Sequence, residues 1–133
     1  MTAAAPAKRA RKRRVSDFAR VALAAIRIFN GALALGAPQV LTRRLDAEPT
    51  GVNNYAFRLF GVRTVLIGFE LLTRDPELRA KAVRAAVPIH ATDTASVAFA
   101  GLRGELPPGR AKMLLAISGT NTLLALVARR GLR

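Results

Sequence analysis

His90 and Asp93 are a pair of side chains whose types and spacing suit proton transfer. They lie three residues apart in the stretch "HATD", so a helix would place both on one face. An imidazole beside a carboxylate can take up and release a proton, and an arginine nearby could hold an anionic or carbonyl group. Arg27 and Arg63 lie in apolar sequence and are the candidates for that role. Catalysis by His90 and Asp93 is one hypothesis, and a histidine that only satisfies hydrogen bonds in a core is the alternative.

Other chemistries lack the residues that they need. The chain has one histidine and no cysteine, which leaves no ligand set for a metal ion, a haem or a reactive thiol. Its sequence has no nucleophile beside a base, no phosphate-binding glycine loop and no H-E-x-x-H pattern. We therefore predict no metal and no cofactor, and whether the protein is an enzyme stays open.

Four apolar segments carry the candidate residues. Proline and glycine separate these segments, and no strand-like alternation bounded by hairpin signals is present. The length of 133 residues suits one domain. We predict an all-α fold whose domain covers residues 17–133, with helices at about 18–37, 54–73, 76–103 and 110–130.

The N-terminal segment, residues 1–16, differs in composition from the rest. It places six Lys and Arg residues among Ala and Pro without apolar periodicity, which predicts a disordered basic arm. The whole chain is 51% apolar and carries a formal net charge of +14. A nucleic-acid-binding domain would explain the charge but not the apolar content.

Uncharged runs favour a membrane bundle over a soluble one. Residues 28–42 and 113–128 contain no charged side chain, whereas a soluble helix presents a charged face to water. Helices of about 18 to 20 residues also suit a hydrocarbon core of about 30 Å. Each charged residue at a helix centre opposes this interpretation, at about 2.5 to 3.5 kcal/mol on insertion scales. We predict a four-helix transmembrane bundle.

The distribution of basic residues predicts the orientation. With both termini in the cytoplasm, fourteen of the 22 Lys and Arg residues fall in inside segments and five in outside segments. This bias agrees with the positive-inside rule and predicts a multi-pass protein of the cytoplasmic (inner) membrane. The bilayer is then the main partner, and the basic arm would bind anionic lipids.

Each predicted helix is polar near its centre. A charged group inside a membrane has to pair or meet water, so we predict a contact between Arg63 and Asp93, with Arg27 and His90 in the same network. The candidate ligand-binding or polar-network residues are Arg27, Asn30, Arg63, His90, Asp93 and Asn121.

Other residues of the helices have predicted roles at the interface or in packing. Arg58 can extend toward the outer headgroups, and Glu70, one turn from the inner end, can meet Arg20, Arg74 or water. Small residues that let helices approach closely are Gly31, Gly61, Gly68, Ser118 and Thr122.

The stretches "RIFNGALALGAP", "RLFGVRTVLIGFELL" and "HATDTASVA" resemble small four-helix bacterial membrane proteins of the DoxX-like group, including actinobacterial families of unknown function. The resemblance covers about residues 18–130. Its most specific part is R-x-x-G-x-R with a glycine five residues later, together with an aspartate in the third helix: Arg58, Gly61, Arg63, Gly68 and Asp93. It implies the fold and the membrane location. Some members of that group are linked to redox or quinone-associated complexes, but most have no assigned activity.

Three functions remain compatible with these patterns. The first is a non-catalytic integral membrane protein, an accessory or small-ligand-binding subunit that uses the polar cluster. The second is a membrane enzyme or quinone-linked redox partner that uses His90 and Asp93. The third is a soluble, basic helical protein that binds nucleic acid. We prefer the first and do not expect nucleic acid as a partner, because the arm serves a lipid surface equally well. Thin helices rich in Ala and Gly bury little surface, which favours a homo-oligomer or a larger membrane complex.

Overall fold

The computed structural model describes residues 4–132, with side chains from Pro6 onward, and these residues form five helices. No strand occurs in that range, so the prediction of an all-α fold is confirmed. The three helices after the first loop begin within three residues of the predicted positions and end within one. The helices are α1 Ala4–Gly36, α2 Pro38–Leu45, α3 Gly51–Leu72, α4 Pro76–Leu102 and α5 Pro108–Arg130.

The short helix α2 corrects the predicted count of four helices. The predicted helices at about 18–37 and 54–73 leave the residues between them without a helix. Pro38 does end α1, but it is also the first residue of α2, a position where its missing N–H group costs no hydrogen bond. The loop is therefore limited to residues 46–50.

The basic arm also differs from the prediction of disorder. Helix α1 begins at Ala4, so residues 4–16 are its first turns, and residues 1–3 lie outside the described residues. Ala, Arg and Lys are strong helix formers, and Pro6 lies in the first turn, where a proline is tolerated. The apolar part of α1 supplies a helical nucleus, and extending an existing helix is far easier than starting one.

The turn between α3 and α4 has the structure that its residues predict. Asp75 is the N-cap of α4, and its carboxylate accepts hydrogen bonds from the backbone N–H groups of Glu77 at 2.8 Å and Leu78 at 3.0 Å. Pro76 follows as the first helical residue. On the other side of the turn, the Arg20 guanidinium donates to the Leu71 carbonyl at 2.7 Å and so satisfies a backbone group at the end of α3.

The four long helices α1, α3, α4 and α5 form a bundle. Helix α1 packs most extensively against α3 and then against α5, and α4 packs mainly against α5. Helices α3 and α4 are consecutive in the chain but touch each other far less. The spatial order around the bundle is therefore α3, α1, α5, α4.

The core of this bundle is made mainly of alanine. Seven of the ten buried apolar residues are alanines, and the other three are Leu23, Leu71 and Val83. Large apolar side chains lie outside instead. Five of the six phenylalanines are exposed, among them Phe18, whose exposed fraction is 74%.

Two helices, α1 and α5, are long and apolar enough to cross a membrane by length and composition. The matching segments are Pro6–Gly36 and Pro108–Arg130. Helix α3 also has a spanning length, but Arg58, Arg63 and Glu70 interrupt its apolar sequence. The first half of α4 carries the acidic and basic residues that follow the turn.

Candidate functional site

The centre of the site is a buried contact between Arg27 of α1 and His90 of α4. Arg27 lies on the same face of α1 as Leu23 and Ala34 of the core, and its exposed fraction is only 6%. His90 is completely buried, with Ala86 one turn before it on the same face of α4. This arrangement joins two helices that lie on opposite sides of the bundle.

Both ring nitrogens of His90 lie close to the Arg27 guanidinium. The Arg27 Nη1 atom lies 2.8 Å from His90 Nε2 and 3.0 Å from Nδ1. A neutral imidazole has one acceptor nitrogen, so only one of these contacts is a hydrogen bond at a time. The Nδ1 atom also faces the Asp93 carboxylate at 3.6 Å. The consistent tautomer therefore has Nε2 accepting from Arg27 while Nδ1 carries the proton that points toward Asp93.

Asp93 connects this buried pair with the surface. It follows His90 by three residues on α4, and its side chain is 52% exposed. The distance of 3.6 Å is too long for a good hydrogen bond, so the contact with His90 is mainly an attraction between charge and dipole. The arrangement can hold a proton on Nδ1 and keep the imidazole in a single orientation.

The Arg27 guanidinium retains unused hydrogen-bonding capacity. It has five N–H donors, but its buried Nε atom makes no hydrogen bond within residues 4–132. In the same part of the chain, no carboxylate forms a direct ion pair with Arg27. A buried cation with a free donor suits an anionic or carbonyl group of a ligand.

The predicted contact between Arg63 and Asp93 is wrong. Within the described residues Arg63 is exposed and forms no ion pair. The buried face of α3 contains Gly61, Thr64 and Gly68, and Arg63 lies about 100° to 160° away from those residues around the helix. The prediction also assumed that consecutive helices are neighbours, whereas α3 packs mainly against α1.

Among the described residues, Asn30 and Asn121 form no hydrogen bond with Arg27 or His90. Both line a groove of about 440 Å³ between α1 and α5, together with Thr120. The buried Oδ1 atom of Asn121 has no hydrogen-bond partner in the described range. The remaining lining residues of this groove are apolar: Ile26, Phe29, Ala116 and Ile117.

The predicted packing glycines lie where α1 and α3 touch. A Cβ atom added to Gly31 would lie 2.8 Å from the Gly61 carbonyl oxygen, and one added to Gly61 would lie 2.7 Å from the Gly31 carbonyl oxygen. At Gly68 the added atom would lie 2.7 Å from Ile28 Cγ1. Any larger residue would push the two backbones apart.

Between α4 and α5 the contact includes polar groups. Ser118 is buried, and Thr122 lies one turn after it on α5. The hydroxyl groups of Thr94 and Thr122 are 2.9 Å apart, which makes a hydrogen bond between the two helices. Sequence reasoning did not include Thr94, although its position four residues after His90 placed it on the same face of α4.

The two predicted interfacial residues, Arg58 and Glu70, are exposed. Arg20 is one partner that we considered for Glu70, but it contacts the Leu71 carbonyl and, at 3.5 Å, the Asp17 carboxylate. Sequence reasoning missed this role of Arg20, because the backbone carbonyl groups at a helix end leave no signal in residue types.

No group of three or more His, Cys, Asp or Glu side chains that could hold a metal ion occurs among the described residues. Neither a protein-family model, nor a curated protein, nor a solved structure matches this chain.

Proposed function

We propose that this chain is a small integral membrane protein in which α1, α3, α4 and α5 cross the cytoplasmic membrane. The observation that carries the proposal is the distribution of side-chain sizes. Alanine and glycine fill the contacts between helices, while phenylalanine and leucine cover the outside. Helices in a bilayer associate through small residues, because lipid supplies an apolar surrounding for the large ones.

The exposed surface of the bundle supports the same proposal. The protein exposes 9144 Å², whereas a compact soluble monomer of 14.2 kDa exposes about 6,800 Å². Its exposed apolar residues lie on every long helix and include Phe29, Leu66, Phe99 and Leu123. In water such a surface would drive aggregation. A soluble nucleic-acid-binding bundle would place these side chains in its core.

The packing and the length of α3 and α4 support four membrane spans. Helices α1 and α5, which have the strongest apolar character, would give only two. Helix α3 has 22 residues, and α4 has 27, which gives lengths of about 33 Å and 40 Å. Both helices pack along the two apolar ones. The bias of basic residues favours an orientation with both termini and the turn around Arg74 in the cytoplasm.

Within this bundle, the Arg27–His90–Asp93 cluster suits an accessory or ligand-binding role. The buried guanidinium has a free Nε donor, which is compatible with an anionic or carbonyl ligand. The sequence resembles the DoxX-like group in a motif that contains Arg58, Gly61 and Gly68. We include membership of that group in this proposal.

Exposed charges at bilayer depth favour a further subunit. Arg63 on α3 and Asp93 on α4 both lie at the outside of the bundle. Facing lipid would cost each of them about 3 kcal/mol on insertion scales. We therefore propose that a second copy or a larger membrane partner covers this side.

Extraction tests membrane insertion directly. Tagged protein should stay in the membrane pellet after alkaline carbonate and high-salt washing, because its apolar surface is in contact with acyl chains. Peripheral attachment through the basic residues of α1 alone would not survive these washes. Release into the supernatant would contradict the proposal.

Labelling of introduced cysteines tests the number of spans. The chain has no cysteine, so each substitution creates a unique thiol. Four spans predict that a membrane-impermeant maleimide labels Glu48→Cys and Glu105→Cys from the outside but reaches Arg74→Cys only after permeabilisation. If only α1 and α5 cross the membrane, all three thiols react from the outside. The Arg74→Cys variant therefore separates the two topologies.

A further inference from the structure

The first turns of α1 extend beyond the helical bundle and separate its basic residues by face. Lys8, Arg11 and Lys12 line one groove, which we name the basic groove, whereas Arg9 and Arg13 do not line it. In a disordered arm the basic residues would not be separated by face. The helical conformation of residues 6–16 therefore turns a general positive charge into a defined surface.

The C-terminal end of α5 forms the other wall of the basic groove. Arg130 and Val127 line it from α5, and Val15 and Ser16 line it from α1. The groove has a volume of about 420 Å³. Four cationic side chains and two valines thus line the same space.

A close contact holds the two walls together. A Cβ atom added to Gly131 would lie 2.7 Å from Ser16 Cβ and 3.1 Å from Ser16 Oγ. Ser16 is itself buried. The chain segments at the base of the groove therefore touch, and the positions of Lys12 and Arg130 relative to each other are set by packing.

The charges of the basic groove are not neutralised within the protein. In residues 6–132 no acidic side chain forms an ion pair with Lys8, Arg11, Lys12 or Arg130. Clusters of Lys and Arg with apolar neighbours are suited to a phosphate group attached to a hydrocarbon chain. Phosphate oxygens would meet the cations, and the valines would meet the upper part of the chain.

We propose that the basic groove is a binding site for the phosphate headgroup of an anionic phospholipid of the inner leaflet. The proposal rests on the membrane insertion proposed above, since it places the groove next to Phe18, where the apolar part of α1 begins. The charge of the groove comes from both helices. The bound lipid would therefore tie the N-terminal turns of α1 to the end of α5.

Matched variants separate this site from general attraction to a negative surface. The groove variant is Lys8→Gln/Arg11→Gln/Lys12→Gln, and the control variant is Arg9→Gln/Arg13→Gln/Arg14→Gln, which removes the same charge from the same helix. On α5 the corresponding pair is Arg130→Gln in the groove and Arg129→Gln outside it. All four variants change exposed side chains, and size-exclusion chromatography in detergent checks that each stays folded.

The measurement is the immobilisation of spin-labelled phosphatidylglycerol by full-length protein in phosphatidylcholine nanodiscs. We expect the groove variant to bind at least about tenfold more weakly than the control variant, and Arg130→Gln to bind more weakly than Arg129→Gln. Equal losses in the matched pairs would overturn the proposal and leave only non-specific adsorption to anionic lipid.

Competitors identify the source of the phosphate. Inorganic phosphate and a short DNA duplex are added to the same nanodiscs, and neither should displace the labelled lipid from the unchanged protein at comparable concentration. Displacement by either would overturn the assignment to lipid. Carbonate extraction of the membranes from which the protein is purified separates the two proposals. If the protein is retained but the matched pairs are equal, only the headgroup site fails, whereas release contradicts the membrane insertion as well.

Discussion

Helix α1 meets α3 and α4 in two different ways. Its contact with α3 is a close packing of backbones, which Gly31 and Gly61 allow. Toward α4 it extends one long side chain, Arg27, whose guanidinium contacts the buried His90. The first contact contains no charged side chain at its closest points, and the second depends on a charge.

These two contacts should fail for different reasons. The α1–α3 contact has no room for additional atoms, so its stability depends on volume and hardly at all on polarity. The α1–α4 contact is a hydrogen bond between two buried polar side chains. Its stability depends instead on whether each buried polar group has a partner.

The substitution Gly31→Val should have the largest effect. Its Cβ atom would lie within 3 Å of the Gly61 carbonyl oxygen and the Val65 backbone nitrogen, so α1 and α3 have to separate. We expect a loss of about 3 kcal/mol or more of folding free energy, measured by thermal unfolding in detergent micelles. Gly119→Val is the control, since no atom outside its own helix lies within 4 Å of an added Cβ there. Equal destabilisation by both variants would show that the α1–α3 contact is not limited by volume.

The second prediction concerns the asymmetry of the Arg27–His90 pair. His90→Leu should cost about 2 to 3 kcal/mol, because it leaves the buried Arg27 guanidinium without its hydrogen-bond acceptor. Arg27→Met should cost less than His90→Leu, since it leaves the neutral His90 Nε2 without its donor but also removes a buried charge that has an unsatisfied donor.

The double variant Arg27→Met/His90→Leu is the control for this asymmetry, and it should recover most of the stability that His90→Leu loses. The same unfolding measurement tests all three variants. If Arg27→Met alone destabilises the bundle as much as His90→Leu does, the pair is a structural contact, and the ligand-binding role loses its support.

A smaller effect is expected at the hydroxyl pair between α4 and α5. Thr94→Val and Thr122→Val each remove one partner of the 2.9 Å contact, and their coupling energy in a double-mutant cycle should be about 0.6 kcal/mol. The matched control on α4 is Thr92→Val, because the Thr92 hydroxyl is exposed and bonds only to carbonyl groups of its own helix. A coupling energy between Thr92→Val and Thr122→Val equal to that of the Thr94 pair would contradict this assignment.

The sequence was sufficient for α3, α4 and α5 and for part of the cluster, but not for α2 or for the N-terminal turns of α1. Proline, glycine and capping residues have local effects, so the ends of α3, α4 and α5 could be predicted closely. The spacing of His90 and Asp93 within one helix could also be predicted. Which helices lie side by side depends on packing across the whole bundle, so sequence order misled the choice of a partner for Asp93.

Arg63→Ala gives the smallest expected effect and tests that last point. Arg63 has no partner within the described residues, so its truncation should change the unfolding free energy of the solubilised protein by less than about 0.5 kcal/mol. A contact with Asp93 inside one bundle would instead require a clear loss, and the charge-swapped variant Arg63→Asp/Asp93→Arg would restore part of it. If the bundle is inserted in the bilayer as proposed, the same substitution should weaken self-association or binding of a partner, measured by cross-linking in membranes, because a charge at that depth pairs with another protein group or meets water. Unchanged cross-linking together with unchanged stability would place Arg63 against lipid headgroups or water and would remove the reason for a covering subunit on this side.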